Sequence, residues 1–258
     1  MPLKNEVADL LNKKFEQYNQ VNFIANDPIT IPHRFSKKQD IEIMGFVAAM
    51  LAWGQRVTII KKCLLFAELM DNAPHDFLLN HQPLDLKRFN DFKHRTFNST
   101  DALHFIETLK TIYQESDTLE AAFTIGHQKS SVNTKTALTN FQTRFFESEF
   151  APSRTKKHVA SPANKSSCKR LNMFLRWMVR SDDRGVDFGL WKNISSSQLV
   201  MPIDVHVERV SRILGLIQAE KINWSAAEQL TEILKELDAN DPVKYDFALF
   251  GLGVEGEI

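Results

Sequence analysis

Glycine and proline fill few positions in this chain, nine each among 258 residues. That is about 7% together, against a usual share near 12%. A sandwich or barrel of many short strands needs turn residues at a higher density than this, so the chain is constrained towards helices. The apolar residues agree, recurring three and four positions apart almost throughout, the period of a helix with one buried face. Leu3, Val7, Leu10, Leu11 and Tyr18 form a first stripe. Residues 20–35 read as a loop, broken at Asp27-Pro28 and Ile31-Pro32. Ser36 with Gln39 has capping-box spacing and opens a helix through Ile41, Met44, Val47, Ala48 and Leu51, with Gly54 as its stop. Further helices are expected over 57–70, 101–115, 133–149, 168–180 and 205–214, the last ending at Gly215. A short helix follows Asp117, another is capped by Ser225 with Glu228, and Asp241-Pro242 starts the final one. The expected class is all-α, with about ten helices and no strand.

Composition narrows the functions. The hydrophobic share of 43% and the charged share of 25% are those of an ordinary globular chain. Lys plus Arg equals Asp plus Glu at 32 each, so global charge points to no partner. Two cysteines, Cys63 and Cys168, exclude a four-cysteine zinc or iron–sulfur site and make a disulfide framework unexpected. His206 has no ligand partner at metal spacing, so no metal is assigned, and no cofactor is expected. The first residues lack a basic region followed by an apolar run, and no stretch approaches 18 apolar residues. The expectation is a cytoplasmic monomer without membrane contact. Charge is segregated locally. Between Ala151 and Arg180 lie Arg154, Lys156, Lys157, Lys165, Lys169, Arg170, Arg176 and Arg180, with no acidic residue among them. Such a segment suits phosphate contact, or it is a solvated loop.

The densest motif is Met201-Pro202-Ile203-Asp204-Val205-His206-Val207-Glu208-Arg209-Val210, continued by Ser211-Arg212-Ile213-Leu214-Gly215-Leu216. It resembles the Val/Ile-Asp-x-His-Val-x-Arg-Val-x-x-x-Leu-Gly segment of helix-hairpin-helix DNA glycosylases, the superfamily of endonuclease III and the 8-oxoguanine glycosylases. Lys169-Arg170-Leu171-Asn172 is similar to their Lys-Thr-Ala-Asn, which carries the family's nucleophilic lysine onto Lys169 and its catalytic aspartate onto Asp204. Met50-Leu51-Ala52-Trp53-Gly54-Gln55-Arg56 resembles their early Leu-Leu-Ser-x-Gln-x-Thr, whose glutamine can enter the gap left by a flipped base. The stretch from Cys168 to Leu216 also looks like a conserved, uncharacterised bacterial family related to these enzymes. The resemblance runs from about Asp40 to Gly253 and implies one unit, residues 1–258, of two helical lobes around a DNA-facing cleft. The N-terminal helix, 1–20, is expected to pack with the C-terminal lobe. The chain departs from the pattern in three places, one being that its two cysteines cannot form the C-terminal four-cysteine cluster of endonuclease III. The hairpin Leu-Pro-Gly-Val-Gly-x-Lys is replaced by a glycine-free Pro162-Ala163-Asn164-Lys165-Ser166-Ser167-Cys168-Lys169, and Lys169 and Asp204 stand 35 positions apart, a long connection.

The chemistry explains these residue types. Breaking an N-glycosidic bond builds positive charge on the sugar, which a carboxylate stabilises, and a neutral lysine amine can attack the anomeric carbon to form a Schiff base. A free lysine titrates near ~10.4. Lys169 needs burial, neighbouring cations and a helix start to lower that, whereas a carboxylate at a helix N-cap, as at Asp204, is favoured in its charged form. The implied function is a DNA-repair glycosylase with lyase activity on a damaged base, an oxidised purine first, acting on double-stranded DNA. Gln55, Arg56, Arg154, Lys156, Lys157, Lys165 and Arg170 are the expected DNA contacts, and Trp53, Trp177, Phe188, Trp191 and His206 the candidates for a base pocket. Bland readings stand beside each: Asp204 as a cap only, Lys169 as a phosphate contact, Cys168 as a small buried residue, and the aromatics as core. The alternative function is a nucleic-acid-binding protein that keeps the fold without catalysis. A third is an interaction protein with no nucleic-acid role.

Overall fold

The computed structural model describes residues 5–258; Leu3 of the first stripe lies outside them. Eleven α-helices are present among the described residues: α1 (Asn5–Tyr18), α2 (Lys38–Leu51), α3 (Arg56–Leu69), α4 (Pro74–Asn80), α5 (Ser99–Glu115), α6 (Glu120–Phe123), α7 (Lys135–Phe145), α8 (Lys169–Val179), α9 (Val205–Ile213), α10 (Trp224–Lys235) and α11 (Asp246–Val254). Short 3-10 turns fill much of the rest, and a two-stranded hairpin, β1 (Lys93–His94) and β2 (Phe97–Asn98), stands before α5. The all-α class holds, but the expectation of no strand does not. The hairpin turns through Arg95, whose φ of 54° lies in the left-handed region. No Asn-Gly or Asp-Gly pair announces it in the sequence.

The chain forms two compact units. One holds residues up to Phe23, His127–Thr139 and Ser161–Ile258; the other holds Ile24–Gly126 and Asn140–Ala160. In the second, α2 is buried nearly all round, from Ile41 to Leu51, as an apolar helix at the centre of a unit must be. Several of the 19 phenylalanines of the chain pack here. Phe46, Phe105 and Phe145 pack with ring centroids 5.0–5.6 Å apart, and Phe123 stacks on Phe141 at 3.7 Å. Buried Glu42 on α2 accepts from the Tyr113 hydroxyl at 2.8 Å and the Leu119 amide at 3.0 Å.

In the first unit α1 lies on α11 and α11 on α9. Gly251 faces the Tyr18 ring so closely that a side chain there would overlap it. Apolar residues of α8, among them Leu171, Phe174, Leu175, Trp177 and Met178, are buried.

Two expected helix starts are corrected. No side chain caps α2, whose N-cap is Lys37; Gln39 reaches the Asp117 carbonyl at 3.1 Å instead of returning to Ser36. The cap of α10 is Asn223, accepting from the Ala226 amide at 2.9 Å, because Glu228 is taken by Asn133 at 2.9 Å. Gly54, with φ of 104°, comes beyond the C-cap of α2, Ala52. Pro242 opens a 3-10 turn, and α11 starts four residues later.

Candidate active site

Asp204 caps a helix. It is the N-cap of α9, and one carboxylate oxygen accepts from the amides of His206 at 2.9 Å and Val207 at 2.8 Å. Pro202 and the buried Met201 and Ile203 bring the chain in without helical hydrogen bonds, so the cap fixes the carboxylate on a rigid element. His206 presents its ring edge to Phe250 at 5.8 Å. Its backbone side is met by Gly253, where an added Cβ would stand 2.7 Å from the His206 Cβ. The Gly253 carbonyl accepts from Arg209 at 2.6 Å. The histidine is therefore a packed residue in the α9–α11 contact.

Lys169 is the first residue of α8 and half-buried, and its ammonium makes no hydrogen bond or ion pair among the described residues. The loop before it is built without glycine, yet keeps a glycine-like backbone. Lys165, four residues before Lys169 as the first hairpin glycine is in the family pattern, has φ 60° and ψ 13°; Cys168 has φ 52°. Ser161 caps the turn Pro162–Asn164, the Ser166 hydroxyl accepts from the Cys168 amide at 3.2 Å, and Asn172 donates to the Ser167 carbonyl at 3.0 Å. These bonds hold the loop in shape. Burial pushes the Cys168 thiol up to about 12, so it is inert at neutral pH. Burial also lowers Arg170, to about 10, which leaves it charged. No hydrogen bond or ion pair joins Lys169 to Asp204.

Other expected site residues are redistributed. Trp177 and Trp191 are 0% and 1% exposed. Both belong to the core of their unit, and neither can stack on a base. Phe188 is half-buried, its amide bonded to the Trp177 carbonyl at 2.8 Å. In the other unit Trp53 is half-buried between His94 and His158, with ring centroids at 4.8 and 5.4 Å. Gln55 is exposed just ahead of α3, and Arg56 is half-buried. Arg154, expected as a DNA contact, is already engaged within its own unit. Its guanidinium holds the hairpin, pairing with buried Asp101 at 3.0 Å, donating to the Thr96 carbonyl at 2.9 Å and bonding Asn98. Lys156 and Lys157 are exposed.

The positive segment is shorter than its sequence suggests, since Arg176 and Arg180 turn inward. Arg180 pairs with Asp182, Asp187 and Asp241 at 2.7, 3.0 and 2.8 Å, and Arg176 with Asp187 at 3.3 Å and with Asp246. The acids that neutralise them lie downstream, where a charge count over 151–180 does not look. One of them, Asp246, opens an otherwise apolar helix and carries no motif. A shallow cleft lined by Thr108, Arg144, Phe145 and Glu147 contains none of the expected residues.

With this geometry in place, the comparisons with known proteins are short. A family model described as "Protein of unknown function (DUF2400)" matches residues 27–255. The chain belongs to this family. No curated protein and no solved structure matches it. Among the described residues no helix is long and apolar enough to cross a membrane, and no group of three or more His, Cys, Asp or Glu is placed to hold a metal ion.

Proposed function

We propose that this protein is a DNA-repair glycosylase with lyase activity, excising a damaged base from duplex DNA, with oxidised purines the first to test. Lys169 is the nucleophile and Asp204 the carboxylate that stabilises positive charge on the sugar. One observation carries this reading: the two motif residues that the chemistry requires each stand at the start of a helix, Asp204 fixed by two amides and Lys169 half-buried with its ammonium unbonded. The glycosylase-like arrangement of the helices is part of the same proposal. The left-handed backbone at Lys165 supports it, because a side chain there costs about 1–2 kcal/mol relative to ordinary backbone, and strain of this kind clusters where function needs the loop shape.

The test is a panel of duplexes carrying oxidised, deaminated, alkylated or abasic sites, incubated with borohydride. A covalent adduct is expected on at least one, and Lys169→Gln is expected to abolish it. An adduct of equal yield in that variant moves the nucleophile elsewhere, with Lys165 next. One observation favours the non-catalytic reading. Ser167 carries a side chain where the second hairpin glycine would admit a phosphate to the backbone. On that reading duplex binds and no adduct forms on any lesion.

A further inference from the structure

The hairpin of the second unit closes through a two-residue turn, Arg95-Thr96, between the paired His94 and Phe97. A hairpin this tight takes glycine, asparagine or aspartate where φ is positive. Here the residue is an exposed arginine, Arg95, with φ of 54°. Such backbone persists only where the surrounding structure holds it, and the surroundings are built to do so. Arg95 lies against the backbone of Gly54, where an added Cβ would stand 3.0 Å from its Nη1 and 3.2 Å from its Cδ. Arg154 braces the same turn, donating to the Thr96 carbonyl at 2.9 Å, bonding Asn98 and pairing with buried Asp101. Asp101 is held in turn by the Thr155 hydroxyl at 2.6 Å and the Asn98 amide at 2.9 Å. The turn therefore presents Arg95 from a rigid support.

Two further cations stand beside it. Lys93 of β1 is exposed, and Lys62 of α3 is half-buried with its ammonium 5.8 Å from the centroid of the Phe92 ring. Among the described residues, Lys62, Lys93 and Arg95 make no hydrogen bond or ion pair through their side chains. Asp91, the single acid between Asn90 and Phe97, pairs with none of them. Buried His94 feels this charge. Burial first, and then Arg95 and Lys62, hold its imidazole below the ordinary value, against the pull of the Trp53 and Leu51 carbonyls. Cations without acids among them attract a polyanion, and the guanidinium fork fits two oxygens of one phosphate where an ammonium acts as a point charge.

We propose that this hairpin is a phosphate-binding surface for duplex DNA: the Arg95 fork takes one backbone phosphate, and Lys93 and Lys62 neutralise phosphates beside it. None of the three lies in the motifs that carry the glycosylase resemblance, and none reads a base, so the surface positions the duplex without specifying its sequence. That the polyanion is DNA rests on the reading above; the unopposed charge on a braced turn does not.

The experiment measures binding of the full chain to an undamaged fluorescent duplex by anisotropy across a salt series. Arg95→Asn removes the cation with a residue that tolerates positive φ, and is expected to make the log–log salt slope shallower by about 0.9. The variant with Lys62→Gln and Lys93→Gln is expected to make it shallower by about 1.8, on every base sequence alike. Arg95→Lys is expected to keep the slope while losing part of the affinity, as the fork is lost and the charge is not. Should Arg95→Asn fail to fold, the two lysine substitutions, which leave the turn intact, decide alone. An unchanged slope in that lysine variant overturns the proposal, and so does displacement of the duplex by poly-glutamate at equal charge concentration. If the wild type binds no duplex even at low salt, the proposal falls with both nucleic-acid readings. Binding that depends on the hairpin, without an adduct on any lesion, sinks the glycosylase reading and upholds this one. Adducts from a protein whose hairpin variants keep the wild-type slope do the reverse.

Discussion

At the scale of single residues, Asp204 separates capping from catalysis. Asp204→Asn keeps a capping oxygen and is expected to leave stability within a few tenths of a kcal/mol, whereas Asp204→Ala removes the bonds to His206 and Val207 and costs about 1 kcal/mol. Denaturant midpoints measure both. If the carboxylate works on the sugar, Asp204→Asn lowers single-turnover rates on the order of 100-fold or more, the scale of one preorganised electrostatic group; unchanged rates would leave Asp204 a cap and nothing else. Lys165 offers a different contrast. Its φ of 60° is cheap for glycine and expensive for lysine. Lys165→Gly is expected to raise the unfolding free energy by about 1 kcal/mol or leave it level. A clear loss would mean that the lysine side chain itself holds the loop. Neither backbone angle nor strain is visible in the letters Asn-Lys-Ser-Ser-Cys, which is why the sequence suggested only an absent hairpin.

At the scale of helices, the contact between α9 and α11 holds the candidate site. Gly253→Ala would set a methyl 2.7 Å from the His206 Cβ, with backbone atoms at 3.2 Å just behind. Overpacking of this kind costs about 1–3 kcal/mol and here also displaces the start of α9. Circular dichroism melts should show the loss, and adduct yield should fall more than global stability accounts for. Asp246 adds a pH dependence whose sign follows from its shift. Its carboxyl is raised from an unfolded value of 3.8 to about 7 in the fold, so the folded state binds the proton more tightly. The stability it contributes is complete below about pH 4 and is lost as pH rises towards 7, a difference of at most a few kcal/mol. Asp246→Asn should therefore gain on the wild type across that window. A stability difference flat from pH 4 to 8 contradicts the shift. Sequence spacing placed α8 and α9 within a residue or so of their observed ends, since capping at Asp204 and the stop at Gly215 are local events. It misplaced the starts of α2 and α10, where Gln39 and Glu228 are claimed by residues distant in the chain.

At the scale of the molecule, charge decides how the protein meets a polyanion. With Arg176 and Arg180 buried and Arg154 holding the hairpin, Lys156, Lys157 and Lys165 are the exposed cations of the segment. Three phosphate contacts from this segment contribute about −2.7 to the log–log salt slope on duplex DNA. The variant with Lys156→Ser and Lys165→Ser should leave about −0.9 of that contribution, irrespective of base sequence. No measurable binding at low salt would leave the interaction-protein reading in place of both nucleic-acid readings.

The sequence by itself determined the helical class, most helix positions and the two helix starts at Lys169 and Asp204. Each of these depends on neighbours within about four residues, through apolar period, capping and the scarcity of breakers. Only the tertiary structure decided which arginines face water and which tryptophans are core. A side chain's solvation and charge depend on whatever the fold sets against it. For Arg176 the partners are 11 and 70 residues away along the chain, beyond the reach of any local pattern.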